Sequence, residues 1–212
     1  MKTVMTSISF FSQRSTAVIA QDLLGRKLTY ASSEGIVGGY IVETEAYLGE
    51  EDSTAHAFKG RRSSFNEALY GPPGTIYIYT LRGLYLFNLV AQEKDVPQGI
   101  LIRAVEPCCG RDLMERHRPK SGFELTNGPA KFMEAWGIRD KKLNGTLIGT
   151  GPLSLTLRQR RQPQQIIAGP RIGVSQRGTA TFAPLRFYVA GNPYVSNLRK
   201  REMQLTDYGW KK

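Results

Sequence analysis

The sequence predicts a single mixed α+β domain, and two observations carry that reading. Short runs of β-branched, aromatic and aliphatic residues, bounded by Gly, Ser, Asn and Pro, recur along the chain without the regular strand–helix alternation of a doubly wound sheet. A length of 212 residues at 41% hydrophobic composition also supplies enough apolar side chain for one core.

Residues 15–24 mix apolar and polar side chains at helical spacing and stop at Gly25, a natural C-terminal cap, so a short helix is expected there. Residues 27–31, a turn at 32–35 and residues 36–47 read as a hairpin running into a long strand. Residues 49–74 are polar, basic and punctuated by Gly and Pro, a loop too long to be idle in a compact domain. A second hairpin is expected over 75–90, because residues 76–79 and 84–90 are strand formers and Arg82-Gly83 supplies turn chemistry. Residues 100–105 add a strand. Helices are expected over 112–116 and from Thr126-Asn127-Gly128-Pro129 through Trp136, with Gly137 ending the second. Further strands are expected around 147–148, 153–157, 171–174 and 185–189, and residues 157–163 form a basic linker.

Lys and Arg number 29 against 18 Asp and Glu, a net charge of +11. The excess is spread along the chain, and such a field attracts nucleic acid or, less often, an anionic membrane surface. Cys108 and Cys109 are adjacent and only His56 and His117 carry imidazoles, so a disulfide framework, a thiol zinc site and a His-based metal cage all lack members. No metal and no other cofactor is expected. No apolar run approaches bilayer length, so a soluble intracellular monomer is expected, cytoplasmic and nucleoid-associated in a bacterium or nuclear in a eukaryote.

The chemistry concentrates in residues 41–48. Strand alternation predicts Ile41, Glu43, Glu45 and Tyr47 on one face, and Val42, Thr44, Ala46 and Leu48 on the other. A carboxylate in a partly apolar pocket gains proton affinity and can act as general base toward water. An arbitrary Glu-x-Glu is more often a solvated strand face. Tyr47, His56, Tyr77, Tyr79 and Tyr85 fit either a pocket that pinches a nucleobase or an aromatic core.

The segment from Val42 to Gly49, followed by Glu51-Asp52 and His56, resembles the active-site segment of the alkyladenine (3-methyladenine) DNA glycosylases. So do Pro73-Gly74-Thr75 with Tyr77 and Tyr79, the run from Leu101 to Pro107, Asn127-Gly128-Pro129-Ala130-Lys131, Arg171-Ile172-Gly173-Val174, and the run from Pro184 to Val189. The matches run in family order from about Phe10 to Ser196, within a single domain over 1–212. The resemblance implies a curved, mostly antiparallel, barrel-like β-sheet with surrounding helices and a protruding β-hairpin. It implies that Glu45 activates water for attack on the anomeric carbon, with Arg103 holding that water and the nearby phosphate. Tyr47 and Tyr79 would sandwich a flipped purine, His56 would close the pocket, and Asn88 and Val174 would complete the substrate contacts. The implied partner is double-stranded DNA carrying a damaged purine of the 3-methyladenine, hypoxanthine or ethenoadenine type. No lysine occupies a matched catalytic position, so an abasic site is the implied product.

The chain departs from the family at the second hairpin, where the family carries a tyrosine wedge. Alignment on Gly83 makes Arg82 the wedge, whereas alignment on Asn88 makes it Leu81, and Arg82 is favoured because Gly83 suits the turn. The interval from Tyr79 to Asn88 is one residue short, which sends Asn88 to the opposite face unless a bulge or tighter turn compensates. Arg61, Arg62 and Lys131 are candidates for phosphate contacts. A non-catalytic basic nucleic-acid-binding module explains the charge but not the arrangement of Glu43, Glu45, Tyr47 and His56. A carbohydrate hydrolase using Glu43 and Glu45 fails, since residues two apart on a strand cannot flank a scissile bond from opposite sides.

Overall fold

The computed structural model describes residues 7–176 and 178–212, and its organisation follows from one long strand, β2 (Gly35–Tyr47). One edge of β2 is covered by β5 (Gln98–Cys109). The other edge is shared. Its N-terminal half pairs with β1 (Lys27–Ser32) and residues 43–45 pair with β8 (Arg186–Val189). From this branch point the sheet extends to β4 (Leu84–Ala91) and β3 (Ile76–Leu81) beyond β5, to β6 (Leu153–Leu155) beyond β1, and to β7 (Ile166–Gly169) beyond β8. All recorded pairings are antiparallel. The expected mixed α+β fold on an antiparallel sheet is present, and the eight-stranded sheet does not close on itself: its path ends at β3 and β6 with the β7–β8 branch between.

Four helices complete the α+β fold among the described residues: α1 (Ser7–Ser12), α2 (Thr16–Leu23), α3 (Arg111–His117) and α4 (Pro129–Ala135). Ser15 caps α2 by accepting from the Val18 amide, and Ile19, Ala20 and Leu23 are fully buried. Thr44 Oγ1 of β2 donates to the Ala20 carbonyl at 2.9 Å, so the back of the carboxylate strand is fixed to a helix. Gly25 turns the chain from α2 into β1 at φ 81°, and a Cβ there would lie 1.9 Å from the Arg161 carbonyl oxygen, so glycine is required on both counts. On the same side, α4 packs Phe132 and Trp136 into the main core with Phe87 of β4.

Two expectations need correction. Residues 171–174 form no strand: Gly173 adopts φ 75°, and the Ile172 amide donates to a side chain instead of a ladder. Residues 147–148 contribute only the single bridge between Thr75 and Leu147. The loop over 49–74 is ordered by three short 3-10 turns, Gly49–Glu51, Phe58–Gly60 and Glu67–Tyr70.

Candidate active site

Strand β2 does not alternate simply. Its pairing with β5 shifts register between Ile41 and Glu43 and again between Glu43 and Thr44, so Ile41 and Val42 both enter the core. After the shift, Glu43 and Glu45 both meet Arg103 of β5 in a region closed to solvent. Both carboxylates are fully buried, and Arg103 is 6% exposed.

Glu43 accepts from Arg103 Nε at 2.9 Å, Arg186 Nε at 2.6 Å, and the Ser196 hydroxyl and backbone amide at 2.8 Å each. Glu45 has fewer donors. Its Oε2 accepts from the Tyr47 hydroxyl at 2.8 Å, and its Oε1 takes the Ile172 amide at 2.7 Å and Arg103 Nη1 at 3.2 Å. Burial raises the proton affinity of Glu45 above the usual carboxylate range, outweighing the opposing effects of Arg103, the Ile172 amide and the Tyr47 hydroxyl.

In front of Glu45 lies a cleft of about 200 Å³. Its walls include Tyr47, His56, Tyr77, Tyr79, Leu81, Asn88 and Val174, so all five substrate contacts expected from the sequence converge there. Glu45 and Arg103 are not wall residues; they sit behind Tyr47, whose hydroxyl connects the cleft to the carboxylate. Asn88 reaches the cleft because β3 and β4 turn on only two residues, Arg82 and Gly83, both at positive φ. That tight turn sets Asn88 directly opposite Tyr77, and its Nδ2 donates to the Tyr77 carbonyl at 3.1 Å.

His56 stands edge-on to Tyr79 with centroids 4.6 Å apart, and its Nδ1 lies 2.8 Å from the Tyr77 hydroxyl. Burial, helped by Arg61, lowers its proton affinity, so the imidazole is neutral near neutral pH. Burial pushes the Tyr79 phenol up to about 12 and the Tyr77 phenol higher still, so both keep their protons.

Three further features were not anticipated. Arg171 and Asp52, both buried, form a two-pronged ion pair, and the guanidinium lies 4.7 Å from the Tyr47 ring centroid, backing that ring. Burial pushes the Asp52 carboxyl up, but Arg171 and the Leu48 and Thr54 amides outweigh it and hold the group below its ordinary value. Ser196 joins Glu43 to Arg103. Phe65, 45% exposed, packs edge-on against His56 at 5.2 Å. Asp52 and Arg171 lay inside quoted motifs, yet no spacing rule pairs residues 119 apart.

The basic candidates divide. Arg62 is held by Glu67 and Asp95 and lies over the Tyr70 ring, and Lys131 is bonded to Glu124 and Asn127 in a separate cleft. Arg61 is exposed beside the pocket histidine. Arg82 is exposed at the hairpin apex, and Leu81 lines the cleft mouth at 51% exposure.

A buried carboxylate behind an aromatic cleft in a strongly basic chain fits a base-removing hydrolase, a DNA glycosylase. Within that class, residues 9–193 match the family described as methylpurine-DNA glycosylase (MPG), and the chain belongs to that family. Similar proteins carry the name of a 3-methyladenine DNA glycosylase. One from Latilactobacillus sakei subsp. sakei is 50% identical over 96% of both chains. Another, from Enterococcus faecalis, is 44% identical over 99% of this chain and 92% of its own.

Proposed function

We propose that this methylpurine-DNA glycosylase extrudes a damaged purine from duplex DNA into the cleft, with Glu45 delivering water to the anomeric carbon. The observation that carries the reading is Glu45 itself, a buried carboxylate of raised proton affinity joined to the cleft wall through the Tyr47 hydroxyl. Loss of the purine develops positive charge on the sugar, which the carboxylate stabilises while it orients the water. Arg103 fixes the Glu45 oxygen it touches and completes the water site. Tyr47 and Tyr79 stack on the two faces of the base. Arg171, behind Tyr47, supports that ring with the bond network of Asp52.

The tautomer of His56 follows from its neighbour. In this reading the Tyr77 hydroxyl donates to Nδ1, and the neutral imidazole offers Nε2–H to an acceptor on the base. Asn88 and Val174 bound the remaining edge, and the range extends from 3-methyladenine to hypoxanthine and ethenoadenine. Arg82, at the apex of the turn, enters the gap left in the duplex, while Leu81 forms the lip over which the base passes. No lysine lines the described cleft, so the product is an abasic site without strand cleavage.

The test is incubation with duplexes bearing each lesion, then alkali, with strand scission at the lesion as readout. Scission only after alkali is expected from wild-type protein. Glu45→Gln is expected to bind lesion DNA but to excise about 10²- to 10⁴-fold more slowly. Near-normal single-turnover excision by that variant would overturn the assignment.

A further inference from the structure

Glu43 lies two residues from Glu45, is equally buried, and takes no part in the chemistry above. A buried carboxylate is costly to keep, and an apolar side chain of the same size would fill the space without that cost. The contacts explain its presence. Arg103 divides its guanidinium among four partners: Nε donates to Glu43 at 2.9 Å, Nη2 to the Ser196 hydroxyl at 3.2 Å, and Nη1 to the Ile172 carbonyl at 3.5 Å while pairing with Glu45 at 3.2 Å. The Ser196 hydroxyl in turn donates to Glu43. With Nε and Nη2 held by Glu43 and Ser196 and Nη1 shared with the Ile172 carbonyl, Arg103 offers Glu45 one long contact and is kept from the two-pronged grip that a free guanidinium makes on a carboxylate.

We propose that Glu43 is a positioning residue that, with Ser196, limits how strongly Arg103 engages Glu45 and so keeps Glu45 basic enough to activate water. This rests on Glu45 being the general base. The groups facing Glu45 are Glu43 and Tyr47 from β2, Arg103 from β5, Tyr79 from β3, and the Ile172 amide; Arg186 of β8 is its strand partner but turns its guanidinium to Glu43, and Arg171 is neutralised by Asp52.

The experiment is single-turnover release of 3-methyladenine from methylated duplex DNA across pH, for wild type, Glu43→Gln and Ser196→Ala. Activity rises with pH as Glu45 loses its proton. In both variants Arg103 is freed toward Glu45, so the rising limb is expected at lower pH and the plateau rate lower, by roughly tenfold or more in Glu43→Gln and less in Ser196→Ala. Ser196→Ala changes no charge, so a displaced limb there travels through Arg103. A limb at the wild-type position in folded Ser196→Ala overturns the proposal, even where Glu43→Gln fails to fold. Glu45→Gln in the same series separates the two readings. Undiminished release by it removes the general base, whereas its inactivity together with an unmoved Ser196→Ala limb removes only the role of Glu43.

Discussion

Glu45 and Asp52 are buried acids with opposite linkage to stability. The folded state raises the proton affinity of Glu45, so between its unfolded and folded pKa the native chain binds more protons and stability falls as pH rises. Above that interval the charged carboxylate is a net cost of folding. Glu45→Gln is therefore expected to melt above the parent near neutral pH while losing turnover; a lower melting temperature would contradict the sign. Asp52 runs the other way. Its folded pKa is depressed, so its contribution is full above the unfolded value and lost as pH falls through the folded one. Asp52→Asn leaves Arg171 buried beside a neutral partner and is expected to cost about 3–5 kcal/mol in denaturant unfolding at neutral pH. Of these two acids only Glu45 stands out in the sequence, because short-range alternation and motif order both mark it. The partner of Asp52 comes from a distant loop, and no local period encodes that meeting.

The β3–β4 hairpin places one residue in the cleft and another at an exposed apex. Its register faces Tyr77 with Asn88 inside the cleft and leaves Arg82 at the apex. Arg82→Ala is expected to slow excision of a lesion in a matched pair more than of the same lesion opposite a mismatch, since a mismatched base is already partly unstacked. Leu81→Ala is expected to affect both substrates alike; the reverse assignment would make Leu81 the wedge. Both hairpins were legible, because turn chemistry and strand formers lie side by side in the sequence. The displacement of Asn88 that a missing residue threatened was resolved by the tight turn, a compensation visible only once pairing is known. Residues 171–174 read as a strand from their aliphatic content, but a glycine at positive φ and an amide committed to Glu45 make them a loop.

Over the whole molecule, the surplus of eleven positive charges predicts DNA affinity that falls steeply with salt. The slope should depend on which cations are free. Arg61→Ala is expected to reduce the log–log salt slope by about 0.9, as for one phosphate contact. Arg62→Ala and Lys131→Ala, whose side chains are engaged by Glu67, Asp95 and Glu124, are expected to leave it near the wild-type value. The mixed α+β class was legible from the order of segments. The open, branched sheet was not, because it depends on β2 sharing one edge between β1 and β8, strands from opposite ends of the chain.

The amide that anchors Glu45 belongs to a residue 127 positions further along. At a translation rate of about 5–20 residues per second, the ribosome makes Ile172 some 6–25 s after Glu45. A nascent chain therefore carries strand β2 for that interval without the Ile172 amide that holds Glu45. Chains abandoned by a stalled ribosome before that point would be expected to leave DNA bases untouched, so removal of purines begins only in molecules that extend past Ile172.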